Sequence, residues 1–235
     1  RMQDPTNERK LKHLRTIESD PGTDRRKFYF DDIRLKHRAL PELDLAEIDP
    51  SIEFMGKKLS FPLLISSMTG GDHDVVRTIN QNLAIAAEKT GVAMGVGSQR
   101  VMFSQPAARS SFEIRKHAPT TLLFANLGAV QLNYGFTLDM CEEAVAAVGA
   151  DALILHLNPL QEAVQPSGNT NFAKLSTRII NIAEHLNKPV VLKEVGAGLS
   201  EEDVRLVAEE GIRYIDVAGA GGTSWSRIEH YGLVE

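Results

Sequence analysis

The chain has 235 residues, of which 43% are hydrophobic, and a formal net charge of −5 at pH 7. This composition allows a large buried core, and the acidic balance disfavours nucleic acid as the main partner. No apolar run approaches the roughly 20 residues of a membrane span, and the polar N-terminus has no signal-peptide core. The single cysteine, Cys141, excludes an internal disulfide framework. We therefore expect a soluble, cytoplasmic protein.

The N-terminal segment, residues 1–61, is predicted to contribute to a ligand site and to be distinct from a repeating region at 62–235. Its basic residues cluster early, at Arg9, Lys10, Lys12, His13 and Arg15. One interpretation is a solvated helix face, the usual fate of charge runs. The other is a pair of cations that binds a phosphorylated ligand, because Arg supplies a bidentate fork and Lys a point charge. Composition alone leaves both open.

After Pro62 the sequence alternates between apolar, strand-like runs and helical patterns. The runs begin at Pro62, Val92, Leu122, Ala152, Pro189 and Tyr214, and the first four starts are 30 residues apart. Helical periodicity occupies residues 75–89, 139–148, 172–186 and 200–210. Strands that are apolar on both faces and alternate with helices predict a parallel sheet covered by helices.

Functional groups collect where these strands end. The endings read SSMTGG (66–71), GVGSQR (95–100), NLG (126–128), HLNPLQE (156–162), KEVG (193–196) and GAGGTS (219–224). Polar groups on successive strand ends are typical of a (β/α)₈ barrel, whereas an open doubly wound sheet concentrates them near one switch point. We therefore predict an α/β fold of the TIM-barrel type. Because six strands are found, either the last strands are absent from this sequence or the barrel is an unusual open one.

The segment 156–162 carries an imidazole, two amides and a carboxylate at one strand end. Alternation along the strand places His156 and Asn158 on one face. Pro159 ends the strand, because it has no N–H to donate. A polar strand end followed by a solvated loop is the alternative, but this density of polar groups favours a ligand site. Glu162 can bind a hard divalent ion together with ligand phosphates.

Other strand ends also offer ligand contacts. Lys193 can lie near a bound ring or phosphate while its alkyl stem packs on the barrel, or it can pair with Asp216 or Glu194. Residues 67–69 suit a flat conjugated ring, although a small-residue turn explains them equally well. The backbone N–H groups and hydroxyls of residues 219–224 could bind an anion.

These motifs, together with Arg9-Lys10 and the longer run DVAGAGGTSW (216–225), resemble the type 2 isopentenyl-diphosphate isomerases in order and approximate spacing. The resemblance covers essentially the whole chain, and HLNPLQE and GVGSQR are its specific motifs. It implies an FMN-containing TIM barrel that interconverts isopentenyl and dimethylallyl diphosphates. It also implies magnesium, NADPH or another reductant for the flavin, a small-molecule diphosphate substrate and a homo-oligomer.

The resemblance implies a role for each matching residue. Diphosphate contacts are expected at Arg9 and Lys10. Further substrate contacts are expected at Ser98, Gln99, Arg100 and Gln161. FMN contacts are expected at Ser67, Met68, Thr69, Ser98, Asn126, Lys193 and Thr223. The expected catalytic residues are His156, Asn158 and Gln161, with Gln161 beside the alkene, and Glu162 is the expected magnesium ligand.

The chemistry of such an isomerization limits what the protein groups can do. An unactivated alkene is a poor base, so the reaction needs a strong local acid and stabilisation of developing positive charge. A glutamine amide is a feeble acid, and reduced flavin is the better candidate for the proton transfer. Two alternatives stay open: an FMN-dependent oxidoreductase of the hydroxyacid-oxidase type, and a non-catalytic flavin-binding barrel. The first usually places a His base late in the barrel, whereas His156 follows the fourth strand.

Overall fold

The computed structural model describes residues 5–24, 30–68, 70–71 and 73–234, without the side chains of residues 5–8, 10, 30 and 232–234. The strands are β1 Ile52–Phe54, β2 Lys57–Leu59, β3 Leu64–Ile65, β4 Ala93–Gly95, β5 Leu123–Gly128, β6 Ala152–Leu157, β7 Val190–Glu194 and β8 Tyr214–Asp216. The α-helices are α1 Pro5–Ser19, α2 Asp74–Thr90, α3 Val101–Ser104, α4 Leu138–Val148, α5 Pro159–Val164, α6 Leu175–His185, α7 Glu201–Ala208 and α8 Trp225–Val234. Within these ranges no helix combines the length and the apolar character needed to cross a bilayer.

Strands β3 to β8 form one parallel sheet in which spatial order equals chain order. In a doubly wound sheet the order reverses at a switch point. Here each crossover adds the next strand on the same side, which is how a (β/α) barrel grows. The predicted barrel class and its six strands are therefore confirmed.

The two faces of this sheet pack into two separate cores. On β6, Leu153 and Leu155 belong to the larger core between strands and helices, whereas Ala152 and Ile154 belong to a smaller core inside the curl. Burial on both faces explains why the strands read as continuous apolar runs. Truncating a side chain such as Leu155 to Ala would cost about 2–5 kcal/mol.

A short hairpin, β1–β2, closes the floor of the curl at the N-terminal ends of the strands. Ile52 and Phe54 pack against the inner core. The Lys57 ammonium donates to the carbonyl of Thr120 at 3.0 Å and lies 3.1 Å from an Asp151 carboxylate oxygen. The sequence patterns did not indicate this hairpin, because its strands are only three residues long and contain two lysines.

Local capping signals set several helix boundaries. Ser200 and Asp203 form a reciprocal capping box at the start of α7. The solvated loop considered as the alternative after β6 is not found, because Pro159 begins helix α5. Proline is well suited to the first helical position, where its missing N–H would have no intrahelical partner. Asn158 therefore lies at a strand-to-helix junction.

The N-terminal helix α1 and the turn after it dock on helix α8. The Arg227 guanidinium donates to the Asp20 carboxylate at 2.8 Å, and the backbone N–H of Ser224 donates to the Thr23 carbonyl at 2.8 Å. These contacts join the start of the described chain to the loop that follows β8. Helix α1 is thereby held over the C-terminal ends of the strands.

Candidate functional site

A cavity of about 490 Å³ opens at the C-terminal ends of the barrel strands, the position of ligand sites in this architecture. It brings together residues from α1, five strand ends and helix α5. The predicted site residues that line it are Arg9, Ser67, Met68, Ser98, Arg100, Asn126, His156, Asn158, Gln161, Glu162 and Lys193. Its volume lies within the range of roughly 300–1,000 Å³ typical of small-molecule sites.

His156, Lys193 and Asp216 occupy neighbouring positions on three adjacent strands. Lys193 is only 7% exposed. Its ammonium donates to the Glu194 carbonyl at 2.9 Å and lies 3.3 Å from an Asp216 carboxylate oxygen. The interpretation that pairs Lys193 with Asp216 is therefore confirmed. The same lysine also lines the cavity, so the ion pair holds a nearly buried cation at the wall of the site.

The His156 ring is oriented by its neighbour on β5. Its Nδ1 lies 2.7 Å from the amide oxygen of Asn126. Since that oxygen only accepts, the pair requires Nδ1 to carry a proton. Gly128 makes room for the ring, because a Cβ at this position would come 3.2 Å from Nε2.

The Glu162 carboxylate orders the amide beside it. One oxygen accepts from Asn158 Nδ2 at 3.1 Å and the other from the backbone N–H of Asn169 at 2.6 Å. Because a carboxylate can only accept, Asn158 must turn its NH₂ group towards Glu162. The buried Oδ1 of Asn158 is left without a hydrogen-bond partner. A buried acceptor of this kind suits a bound cation or donor group.

A second carboxylate, Glu229 on α8, orders Gln161 in the same way, and sequence reasoning missed it. Gln161 Nε2 donates to Glu229 at 2.9 Å, and His13 Nε2 lies 3.2 Å from the same carboxylate oxygen. Burial opposes ionisation of Glu229, but His13, Gln161 and the charge of Arg9 outweigh it and hold the pKa of Glu229 below its ordinary value. No motif pointed to Glu229, since the contact spans 68 residues of sequence.

The arginines that line the cavity give it positive charge. Arg9 Nε is buried without a hydrogen-bond partner. Arg100 Nη1 donates to the Asn169 side-chain oxygen at 3.1 Å, and Gln131 donates to the same oxygen at 3.0 Å. Guanidinium groups at the rim of a cavity suit an anionic ligand. The side chain of Lys10 lies outside the described residues.

Comparison with known proteins identifies the family. A sequence model of the FMN-dependent dehydrogenase family matches residues 12–160. The chain belongs to this family. Proteins named isopentenyl-diphosphate delta-isomerase are 57% identical over 222 residues in Paracoccus zeaxanthinifaciens, 53% over 225 in Hydrogenovibrio crunogenus and 47% over 229 in Rickettsia canadensis. These matches confirm the resemblance to the type 2 isomerases.

The coverage of these matches is unequal. They include 94%, 96% and 97% of this chain but 64%, 66% and 67% of the three relatives, so the chain spans about two thirds of their length. Among solved structures, a flavocytochrome b2 variant with sulfite bound has a TM-score of 0.57 at 18% identity, over 94% of this chain and 53% of that one. A mandelate oxidase variant with 2-hydroxy-phenylacetamide has 0.51 at 19%, over 81% and 58%. At these identities the two structures support the barrel fold alone.

The lining of the cavity fits the flavin that this family uses. Ser67 presents a buried hydroxyl oxygen without a hydrogen-bond partner. Gly95 makes room for that hydroxyl, since a Cβ there would lie 2.3 Å from it. Phe103 and Phe136 meet edge to face at 5.1 Å in the cavity wall, an apolar surface that sequence reasoning did not select. Apolar walls with a few oriented polar groups suit a conjugated ring with polar edges.

The fit to magnesium depends on the ligand. The described residues include no group of three His, Cys, Asp or Glu side chains able to hold a metal ion. Glu162 alone would therefore need oxygens from a bound phosphate and water to complete the coordination of a magnesium ion. A coordination shell made of one carboxylate, phosphate oxygens and water agrees with a magnesium ion that enters the site together with a diphosphate.

Two predicted contacts, at Gln99 and Thr223, are not part of the described lining of the cavity. Gln99 is fully buried, where its amide accepts from the backbone N–H of Asn126 at 2.9 Å and donates to the Ala144 carbonyl at 2.8 Å. The amide thus ties β5 to helix α4, and its predicted substrate contact stays a prediction. Thr223 is outside the described lining and pairs with Asp24 instead. Thr69 lies outside the described residues.

Proposed function

We propose that this chain carries the flavin and substrate site of an isopentenyl-diphosphate delta-isomerase. The observation that carries the proposal is the shared cavity, in which Lys193, His156 and the amide pair Asn158 and Gln161 converge with Arg9. The reaction would interconvert isopentenyl and dimethylallyl diphosphates. The sequence identity with curated isomerases supports this reaction over others on the same fold.

We assign the arginines and Glu162 to a charged end of the substrate site. Arg9 and Arg100 would bind the diphosphate, because guanidinium groups form strong charge-assisted hydrogen bonds to phosphate oxygens. Glu162 would hold a magnesium ion against the same phosphates. This charged end would fix the substrate and leave its hydrocarbon end beside Gln161 and His156, so binding energy from the diphosphate orients the alkene.

The polar residues at the strand ends would hold FMN beside the substrate. Ser67, Met68, Ser98 and Asn126 would contact the ring system, and Lys193 would place its ammonium near the electron-rich edge. When bound and reduced, for which NADPH is the proposed reductant, FMN would supply the proton donor and acceptor that the side chains lack. Asn126 would keep His156 in one tautomer, and the aromatic wall would exclude water from the reacting carbons.

The experiment is an isomerase assay on the FMN-loaded protein. The chain is titrated with FMN, photoreduced without oxygen and mixed with isopentenyl diphosphate and magnesium, and dimethylallyl diphosphate is followed by proton NMR. We expect product with reduced flavin and none with oxidised flavin. A protein that binds FMN stoichiometrically but forms no product in either state would contradict the proposal and favour a non-catalytic flavin-binding barrel.

A further inference from the structure

Asn169 contacts two groups that the proposed function assigns to the diphosphate and its metal ion. Its side-chain oxygen accepts from Arg100 Nη1 at 3.1 Å, and its backbone N–H donates to the Glu162 carboxylate at 2.6 Å. Arg100 and Glu162 line the cavity, whereas Asn169 is not part of its described lining. One residue just outside the lining thus joins the guanidinium to the carboxylate.

The side-chain oxygen of Asn169 is also held by Gln131. Gln131 Nε2 donates to this oxygen at 3.0 Å, and Gln131 is only 5% exposed. Since a guanidinium can only donate, the amide of Asn169 must turn its oxygen towards Arg100, and the two donors together use both of its lone pairs. The acceptor that Arg100 meets is therefore anchored to a buried side chain.

Arg100 benefits from such an anchor because its side chain is exposed. A free arginine side chain populates many rotamers, and binding to a phosphate has to order them. The hydrogen bond to Asn169 selects one arrangement before a ligand binds. Because the amide oxygen is neutral, it orients the guanidinium without cancelling its charge, in contrast to the Asp216 carboxylate that pairs with Lys193.

The loop that carries Asn169, residues 165–174 between α5 and α6, is fixed by side chains of the segment that follows β5. Asn133 Nδ2 donates to the carbonyl of Asn171 at 2.8 Å. The Tyr134 hydroxyl accepts from the backbone N–H of Asn171 at 3.0 Å. These bonds satisfy backbone groups that lie outside helices and strands, and they hold the loop in one position beside the cavity.

Gly168 lets this loop approach helix α5 closely enough for the contact with Glu162. A Cβ at this position would come 1.9 Å from the backbone carbonyl oxygen of Glu162, which is too short for any contact between non-bonded atoms. Glycine is the residue that permits so close an approach of two backbones. A larger residue here would displace the loop and, with it, the backbone N–H of Asn169.

We propose that Asn169 is a positioning residue that sets the diphosphate end of the site before the ligand binds. Its side chain directs Arg100 towards the phosphate oxygens, and its backbone N–H holds the Glu162 carboxylate that binds magnesium. The cation and the metal ligand are then fixed relative to each other, so less ordering opposes binding. This inference rests on the proposed function, since it assumes that the cavity takes a diphosphate with magnesium.

The test measures the dissociation constant of inorganic diphosphate by calorimetry, with magnesium present and the protein loaded with FMN. Asn169→Ala should raise this constant roughly threefold to tenfold, the effect expected for one lost hydrogen bond. The matched control is Asn171→Ala in the same loop, whose side-chain oxygen accepts from the backbone N–H of Ala173. The control should change the constant less than about twofold.

A double-mutant cycle with Arg100→Ala separates positioning from other roles of Asn169. If Asn169 acts through Arg100, adding Asn169→Ala to Arg100→Ala should change the dissociation constant less than about twofold. Additive losses would show that Asn169 acts independently of Arg100, and would overturn the proposal. An unchanged constant in Asn169→Ala alone would overturn it as well.

Gly168→Ala tests the contact with Glu162. Because the added methyl group displaces the Asn169 N–H, this variant should need more magnesium for half-maximal diphosphate binding, whereas Asn169→Ala should not. An unshifted magnesium requirement in Gly168→Ala would overturn the part assigned to Glu162. Circular dichroism and FMN affinity of each variant separate lost binding from lost folding.

The wild type distinguishes failure of this inference from failure of the proposed function. A wild type that binds FMN but no diphosphate would contradict both. Diphosphate binding by the wild type that Asn169→Ala and Gly168→Ala leave unchanged would overturn this inference alone.

Discussion

Gln161 on helix α5 donates its side-chain amide to the Glu229 carboxylate on helix α8 across 2.9 Å. Because the carboxylate accepts the NH₂ group, the oxygen of the Gln161 amide is turned to Asn158, which donates to it at 3.1 Å. Two carboxylates, Glu229 and Glu162, thus fix the orientation of two amides in the cavity. The donor and acceptor atoms that Asn158 and Gln161 present to a ligand are therefore set by these two carboxylates.

Glu229→Gln should lower stability at neutral pH and remove part of its acid dependence. The pKa of Glu229 lies below its ordinary value of 4.5, so the folded state binds this proton less readily than the unfolded state. Its stabilisation is complete above pH 4.5 and is lost as the pH falls through the lowered pKa. We expect the wild type to exceed the variant by about 1.5–3 kcal/mol at pH 7.

Thermal unfolding from pH 7 to pH 3 measures this difference. The curves of wild type and Glu229→Gln should converge on acidification, whereas Glu202→Gln, at an exposed position of α7, should follow the wild type throughout. A difference between wild type and Glu229→Gln that stays constant over the whole range would show that the charge of Glu229 is not what stabilises the fold.

Lys193→Ala should weaken FMN binding by roughly tenfold or more, which corresponds to about 1.4 kcal/mol. The variant loses a nearly buried cation at the cavity wall. Flavin titration by fluorescence quenching gives the dissociation constant, and Lys188→Ala, at an exposed position, is the control. The double variant Lys193→Ala with Asp216→Asn removes the carboxylate left unpaired by the first change. Unchanged FMN affinity in Lys193→Ala would refute the assigned role.

Arg9→Ala should raise the KM for isopentenyl diphosphate more than it lowers kcat. A phosphate contact remote from the alkene contributes mainly uniform binding, and losing a charge-assisted hydrogen bond costs roughly 1.5–3 kcal/mol. Arg15→Ala, on an exposed position of the same helix, should keep both constants. Both constants are measured by steady-state kinetics with reduced FMN. A wild-type KM in Arg9→Ala would show that Arg9 does not bind the diphosphate and would favour the interpretation of the basic cluster as a solvated helix face.

Glu162→Gln and Gln161→Ala should respond differently to magnesium. The neutral amide of Glu162→Gln still offers an oxygen ligand of lower affinity, so excess magnesium should restore part of the activity. Gln161→Ala should lose kcat without a magnesium response, because Glu162 is intact. Activity is measured for both variants across a magnesium titration. If Glu162→Gln showed the wild-type magnesium dependence, the metal assignment would be wrong.

Sequence patterns predicted the parts of the fold that depend on local periodicity. The six barrel strands and helices α2, α4, α6 and α7 were predicted, because apolar runs and 3.6-residue spacing are visible in neighbouring residues. The hairpin at 52–59 and helices α3, α5 and α8 were missed. The hairpin strands are too short to show a period, and α8 follows a glycine-rich loop that obscures its start.

The site was predictable where it depends on strand ends and not where it depends on distant pairing. His156 and Lys193 were found because a polar residue ending an apolar strand is visible in sequence. Glu229 was missed because its role comes from contacts with Gln161 and His13, which only folding brings together. Gln99 stands in a specific motif, and the sequence did not indicate that its side chain joins β5 to α4.

We expect this cavity to isomerise a diphosphate and not to oxidise a hydroxy acid. The most direct measurement offers both chemistries to one FMN-loaded sample. Isopentenyl diphosphate is supplied to the reduced protein with magnesium, and 2-hydroxy acids to the oxidised protein, with flavin absorbance and product followed together. We predict dimethylallyl diphosphate from the first mixture and no flavin reduction in the second. Bleaching of the flavin by a 2-hydroxy acid, without isomerization of the diphosphate, would contradict the proposed isomerase function.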